Sequence, residues 1–266
     1  MKPTILLFAI ILCSFYQANS QGFIVNYEET IKSGSLTSDL IASAIDDPQA
    51  RAILQNSYKD KVSKTTSQLL VNNGVSLYTL QQASNQSTQN VDNENTSGSM
   101  SLQISIPPQT MYKNRDNNQR LTQTTFFKKE YLIEEPLTKY NWEIGEKTEM
   151  IAGYQCIEAT MIRNNGTKVT AWYAPDIPIN DGPHFYWGLP GLILYLDVDG
   201  GRHIYSCTSI EQPDDLLAIN APVEGEKVSR AQYNKIVDDT AQANNGTTDV
   251  SGPDQTKRSV TTIIRR

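Results

Sequence analysis

"LILYLDVDGGRHIYSCTSIE", residues 192–211, is the stretch whose reading decides the fold. Leu192, Leu194, Leu196 and Val198 alternate with Ile193, Tyr195 and Asp197, which is the two-residue period of a β-strand. Asp199-Gly200-Gly201 supplies the backbone freedom of a tight turn, and the alternation resumes through His203, Tyr205 and Cys207. Folded there, the leucines share a face with His203, Tyr205 and Cys207. Centring the turn on Asp199-Gly200 or on Gly200-Gly201 leaves the faces unchanged, because the pairing moves by two.

A similar unit lies just upstream in "YQCIEATMIRNNGTKVTAWYAP", residues 154–175. A two-residue turn at Asn165-Gly166 predicts Ile157, Ala159 and Met161 on one face with Thr170 and Trp172. It puts Cys156, Glu158, Thr160 and Ile162 on the other, with Val169, Ala171 and Tyr173. Both faces of these hairpins carry apolar groups. The sheet is therefore covered on both sides, or it curves around something.

Further out, "GFIVNYEETIK" (22–32) reads as a first strand, with Phe23, Val25 and Tyr27 alternating against Asn26 and Glu28. Residues 38–58 have helical spacing, and "KTTSQLLVNNGVSLYTLQQ" (64–82) is a hairpin turning at Asn72-Asn73-Gly74. Residues 84–99 hold one apolar side chain, Val91, and predict a mobile polar loop. "LTQTTFFKKEYLIEEP" (121–136) resumes as strand, and from Tyr140 to Ile210 strands follow one another. A short helix over 229–242 is capped by Ser229. The expected fold is mainly β (α+β): a curved antiparallel sheet or half-barrel with a few covering helices. One domain runs over 21–243, followed by a flexible basic tail at 244–266.

The N-terminus bounds where this domain works. Lys2, the apolar run Thr4–Phe15, and Ala18 and Ser20 before Gln21 make residues 1–20 a secretory signal peptide. Cys13 follows Ile11 and Leu12, not the small residues that lipid attachment wants, so no lipid anchor is expected. No later stretch has the roughly 20 apolar residues of a membrane span. The net charge of −6 argues against a nucleic-acid surface. Cys156 and Cys207 lie beyond the signal, and an even count in an exported chain predicts a disulfide between them. Their differing faces in the hairpins complicate that pairing.

Candidate sites are few. In Gly188-Leu189-Pro190-Gly191-Leu192-Ile193, proline fixes one φ and the glycines free two others. The segment reads as a tight turn that sets the next strand, with a positive φ assumed at Gly191. Close backbone approach also leaves ligand contact open there. Trp172, Tyr173, Tyr186 and Trp187 could form an aromatic binding surface, although core packing is the usual work of such residues. His184 and His203 are the only histidines, and no nucleophile elbow accompanies them. They and the cysteines lack metal-ligand spacing, and "DVDGG" lacks the later ligands of a calcium loop. No catalytic residue, metal or cofactor is expected.

The stretch "AWYAPDIPINDGPHFYWGLPGLILYLD" (171–197) resembles the GLPGLI, or Porph_ging, family of exported envelope proteins in Gram-negative bacteria. "GYQC" at 153–156, "AWYAPDIP" at 171–178 and "GP" at 182–183 fit the same pattern, as do the ends "VNYEET" and "VSRAQYNKIV". The resemblance implies export to the periplasm or beyond and a mostly β fold, sometimes with outer-membrane transporters as genetic neighbours. It implies no catalytic residue. The expected function is non-enzymatic binding of an envelope lipid, a peptide or an outer-membrane transporter. The alternatives are a structural envelope component and, disfavoured by the histidine count, an envelope hydrolase.

Overall fold

The computed structural model describes residues 22–32, 48, 52, 62–72, 74–80, 99–105, 109–213, 217–245 and 257–263. The predicted signal peptide, nearly all of the predicted 38–58 helix and of the polar loop, and most of the basic tail lie outside the described residues. The strands are β1 (Phe23–Lys32), β2 (Val62–Asn72), β3 (Val75–Leu80), β4 (Ser99–Ser105), β5 (Gln109–Asn114), β6 (Gln119–Phe126) and β7 (Lys129–Pro136). They continue as β8 (Glu143–Ile151), β9 (Tyr154–Ile162), β10 (Lys168–Ala174), β11 (Leu192–Val198), β12 (His203–Glu211), β13 (Glu226–Ser229) and β14 (Lys257–Ile263). The helix α1 spans Arg230–Asn245.

Twelve strands form one open sheet in the order β13-β7-β6-β5-β3-β2-β1-β12-β11-β10-β9-β8, while β14 and β4 pair separately. Chain connectivity forces this sheet to curve. β7 and β8 sit ten strand positions apart, which is roughly 48 Å if the sheet were flat. The connection Leu137–Trp142 can reach only about 25 Å. The two ends must therefore approach, and the strap 137–142 bridges the open side of a half-barrel.

The inner face can be read from register. Val25, Tyr27 and Glu29 of β1 oppose Leu69, Ser67 and Thr65 of β2. Leu69 and Val71 oppose Tyr78 and Ser76 of β3, and these oppose Met111 and Lys113 of β5. Most of these side chains are buried in one core with Ala171, Leu194, Leu196 and Tyr205. The outer face of β1 is polar, where Asn26 donates to Ser209 at 2.9 Å and accepts from Gln68 at 3.0 Å. Further along, the segment carrying Ile219 covers Tyr112, Leu121 and Leu132. Curvature around contents, rather than two covered faces throughout, explains the apolar hairpins.

Three expectations need correcting. The stretch 121–136 is two strands, because Phe127 (φ 45) and Lys128 (φ 62) make the two-residue turn that twisted hairpins favour. The upstream hairpin is shifted by one. Arg163 N–H donates to Thr167 O at 2.9 Å, so the loop holds three residues and ends on Gly166 at φ 81. Val169, Ala171 and Tyr173 therefore oppose Met161, Ala159 and Ile157. A one-residue slip moves every side chain of one strand to the other face. Finally, β13 runs parallel to β7, so the sheet is mixed rather than purely antiparallel. The downstream hairpin keeps its predicted faces, with Leu196 opposite Tyr205 and Val198 opposite His203.

α1 begins with a reciprocal cap: Ser229 Oγ accepts from Gln232 N–H, and Gln232 Oε1 accepts from Ser229 N–H. Tyr233, Ile236 and Val237 pack it on Phe126, Tyr131 and Ile133. It is the covering helix foreseen over 229–242.

Candidate functional site

What fills the half-barrel is the segment between β10 and β11, residues 175–191, which holds the glycine-proline motif. Ile177, Tyr186 and Leu189 are buried in the core against the sheet. Backbone bonds tie this plug to β11: Leu192 N–H donates to Ile177 O at 3.1 Å, and Ile193 N–H to Asp181 O at 3.0 Å. Tyr27 OH, from β1, donates to Ile193 O at 2.7 Å.

A buried charge cluster anchors the plug's centre. Asp181 and Lys113 are both 0 % exposed and form an ion pair, with Arg115 on the other carboxylate oxygen. Lys113 Nζ also donates to Gly182 O at 2.9 Å. Burial lowers the Lys113 pKa, and the Asp181 charge opposes that shift. The next residues extend the anchor. His184, buried at φ 55, has Nε2 3.1 Å from Gln109 Oε1, and its ring meets Tyr78 edge-on at 5.8 Å. Tyr78 OH is shared between the buried carboxylate of Glu29 and Ser67 Oγ, the latter at 2.7 Å. Burial, then the Glu29 charge, raise the Tyr78 pKa well above its ordinary value. The other Glu29 oxygen lies 3.1 Å from His203 Nε2.

The strap closes over the plug through two tryptophans. Trp142 Nε1 donates to Trp187 O at 2.9 Å, and Trp187 Nε1 donates to Thr138 O at 2.8 Å. Tyr140 of the strap stacks on Tyr186 at 5.8 Å.

The motif residues divide between core and surface. Leu189, Gly191, Leu192 and Ile193 are buried, while Gly188 and Pro190 are exposed. Gly188 carries the positive φ, +104, and Gly191 does not. Gly191 is needed for space instead: a Cβ there would lie 2.7 Å from the Ala174 carbonyl carbon and 2.9 Å from Tyr173 Cδ2. The four aromatic candidates do not make one surface. Tyr173 and Tyr186 are in the core, and Trp172 lies on the other side of β10, opposite Tyr195. Trp187 is half-buried under the strap.

Cys156 and Cys207 are free, buried thiols and not the expected disulfide. They stand on β9 and β12 with two strands between them, and each faces a carbonyl of its own strand, Tyr154 O and Ser209 O. Burial pushes the Cys156 thiol up to about 11. Burial and repulsion from Cys156 push Cys207 up to about 12. At pH 8 the native chain should therefore resist alkylation. Without reductant, unfolding a chain that begins at Gln21, and so lacks Cys13, should release two reactive thiols; a count of zero would mean that the bridge forms.

A second polar hub joins β6, β7 and the start of α1. Glu135 of β7 accepts from Arg120 at 2.8 Å and from Arg230 at 2.7 Å. Burial works against its charge, but the Arg230 hydrogen bond and the Arg120 charge outweigh it and hold the carboxyl below the ordinary range. The folded pKa is thus depressed. The resulting stability should be full above the ordinary value near ~4.3 and be lost as pH falls through the folded value. Glu135→Gln should lower stability at pH 7 by about 1–3 kcal/mol and flatten the acid limb, measured by urea unfolding against pH.

Among the described residues no group of three His, Cys, Asp or Glu could hold a metal ion, and no helix is long and apolar enough to cross a membrane. Sequence reading missed Glu29, Tyr78, Lys113, Asp181 and Arg120. Strand parity carried a signal for some of them: Glu29 is in phase with Val25 and Tyr27, and Lys113 with Met111.

Two solved structures titled PNGF-II, in C2 and P21 crystal forms, are similar to the chain at TM-scores of 0.52 and 0.51 and 15% identity. The likeness covers 82% of this chain but 33% of that one, so the chain spans about a third of their length. It concerns the fold. No curated protein matches. Residues 163–195, from the β9–β10 turn through the plug into β11, match Porph_ging, described as "Protein of unknown function". That short match is centred on the segment that fills the half-barrel, and over it the chain is similar to the Porph_ging family.

Proposed function

We propose that the protein is a non-catalytic binding protein of the bacterial cell envelope, exported by residues 1–20. It recognises an envelope component, whether lipid, peptide or outer-membrane transporter, on its rim rather than inside its curve. One observation carries this reading: the inner face is packed by the chain's own plug, with Tyr186, Leu189 and the Asp181–Lys113 pair buried there. Gly188 and Pro190 reach the surface beside the Trp142–Trp187 clasp. A hydrolase has weaker support. His203 Nε2 is engaged by Glu29 and its ring stacks on Tyr205, whereas nucleophilic catalysis needs a base bonded to the nucleophile.

N-terminal sequencing of the exported chain is expected to start at Gln21. A chain that keeps Met1 would remove the export reading. Native mass spectrometry of protein taken from its own envelope, with a photo-crosslinking residue at Pro190, is expected to show a bound lipid or peptide, or a discrete adduct with an envelope protein. A clean apo mass with no adduct favours the structural-component reading instead.

A further inference from the structure

Phe185, at the plug's outer end, is flanked by two guanidinium groups from distant parts of the chain. Arg120 of β6 lies 5.7 Å from its ring centre, and Arg163 of the β9–β10 turn lies 5.8 Å away. β6 and β10 stand seven positions apart in the sheet, so only its curvature brings them together. Tyr140 completes the group: burial raises its pKa, while the charges of Arg120 and Arg163 act to lower it. Arg230 stands close by on Glu135.

Charge does not balance here. Glu135 is the carboxylate shared by Arg120 and Arg230, whereas Arg163 is exposed and makes no ion pair among the described residues. In a chain of net charge −6, this is a local excess of positive charge beside half-buried aromatic rings. The N–H edge of Arg120 is taken by Glu135, whereas Arg163, held on the ring face and exposed, keeps its own edge open for planar, bidentate binding of an oxyanion. The rings offer area to whatever body carries that anion.

We propose that Arg163, held on Phe185 beside Tyr140 and the Arg120–Glu135 pair, binds the oxyanion of a ring-bearing ligand, as a carboxylate or a phosphate ester. This rests on reading the rim as the recognition surface and names its ligand class. The test titrates the mature chain with phenyl phosphate, benzoate and neutral benzyl alcohol by calorimetry, at low and high salt. Saturable binding of at least one anion and not of the alcohol is expected, weakening as salt rises. Binding of phenyl phosphate alone assigns a phosphate site, and of benzoate alone a carboxylate site. Arg163→Gln should weaken binding by about tenfold or more while melting like wild type, because that side chain is exposed. The proposal is overturned if neither anion binds, if the alcohol binds equally, or if Arg163→Gln binds as wild type does. An adduct at Pro190 that survives such a failure would leave the broader binding function standing.

Discussion

Gly191→Val is expected to abolish or severely destabilise the fold, and Gly191→Ala to cost about 3 kcal/mol. At this position the first atom of any side chain meets the carbonyl of Ala174 on the neighbouring strand and the ring of Tyr173. The carbonyl is backbone within a twelve-stranded sheet and cannot move aside without breaking the β10–β11 register. Overpacking usually costs about 1–3 kcal/mol, and a backbone obstacle puts this site at the top of that range. Gly166 is the control: it has φ +81, and nothing lies within 4 Å of the position a Cβ would take. Gly166→Ala should therefore lose only about 1 kcal/mol, from backbone strain. Urea unfolding of the two alanine variants separates crowding from φ. Equal losses would refute the close-approach account.

Asp181→Ala should be as damaging for an electrostatic reason. It strands Lys113, wholly buried, with carbonyl oxygens but no counter-charge. Removing one partner of a buried pair costs about 3–5 kcal/mol, whereas replacing both with apolar groups is often neutral. The double variant Lys113→Met with Asp181→Leu should therefore recover about 2 kcal/mol or more relative to Asp181→Ala alone. Arg115, the other partner, is partly exposed and can turn to water. If the double variant is no more stable than Asp181→Ala, the pair anchors the plug by geometry and not by charge balance.

Both effects arise in a segment whose importance the sequence signalled but whose work it did not. Pro190 between two glycines pointed to a turn that sets β11, and Leu192 and Ile193, the first residues of that strand, are buried. Yet the glycine thought to need a positive φ needs space, and the positive φ is at Gly188. Local rules reach φ through residue type. They do not reach close approach, which depends on where another strand lies. The Asn165-Gly166 hairpin is a parallel case: the dipeptide marked the turn, but the two-residue loop read from it is a three-residue one, and the difference exchanged the faces of Thr170 and Ala171.

Alternation of period two by itself determined that the chain is a succession of β-strands. Asn-Gly and Gly-Gly pairs determined where several of them turn. These are properties of neighbours in the chain, set by backbone geometry and side-chain direction. Tertiary structure alone decided that a strap of a few residues would draw β7 and β8 together across the open side. It likewise decided that residues 175–191 would fold into the space so made, that Lys113 would meet Asp181, and that Arg120 and Arg163 would converge on the Phe185 ring. Those partners come from strands and turns far apart in the chain, and no local preference encodes them; closing such loops is favourable only once curvature, burial and charge pairing are gained together.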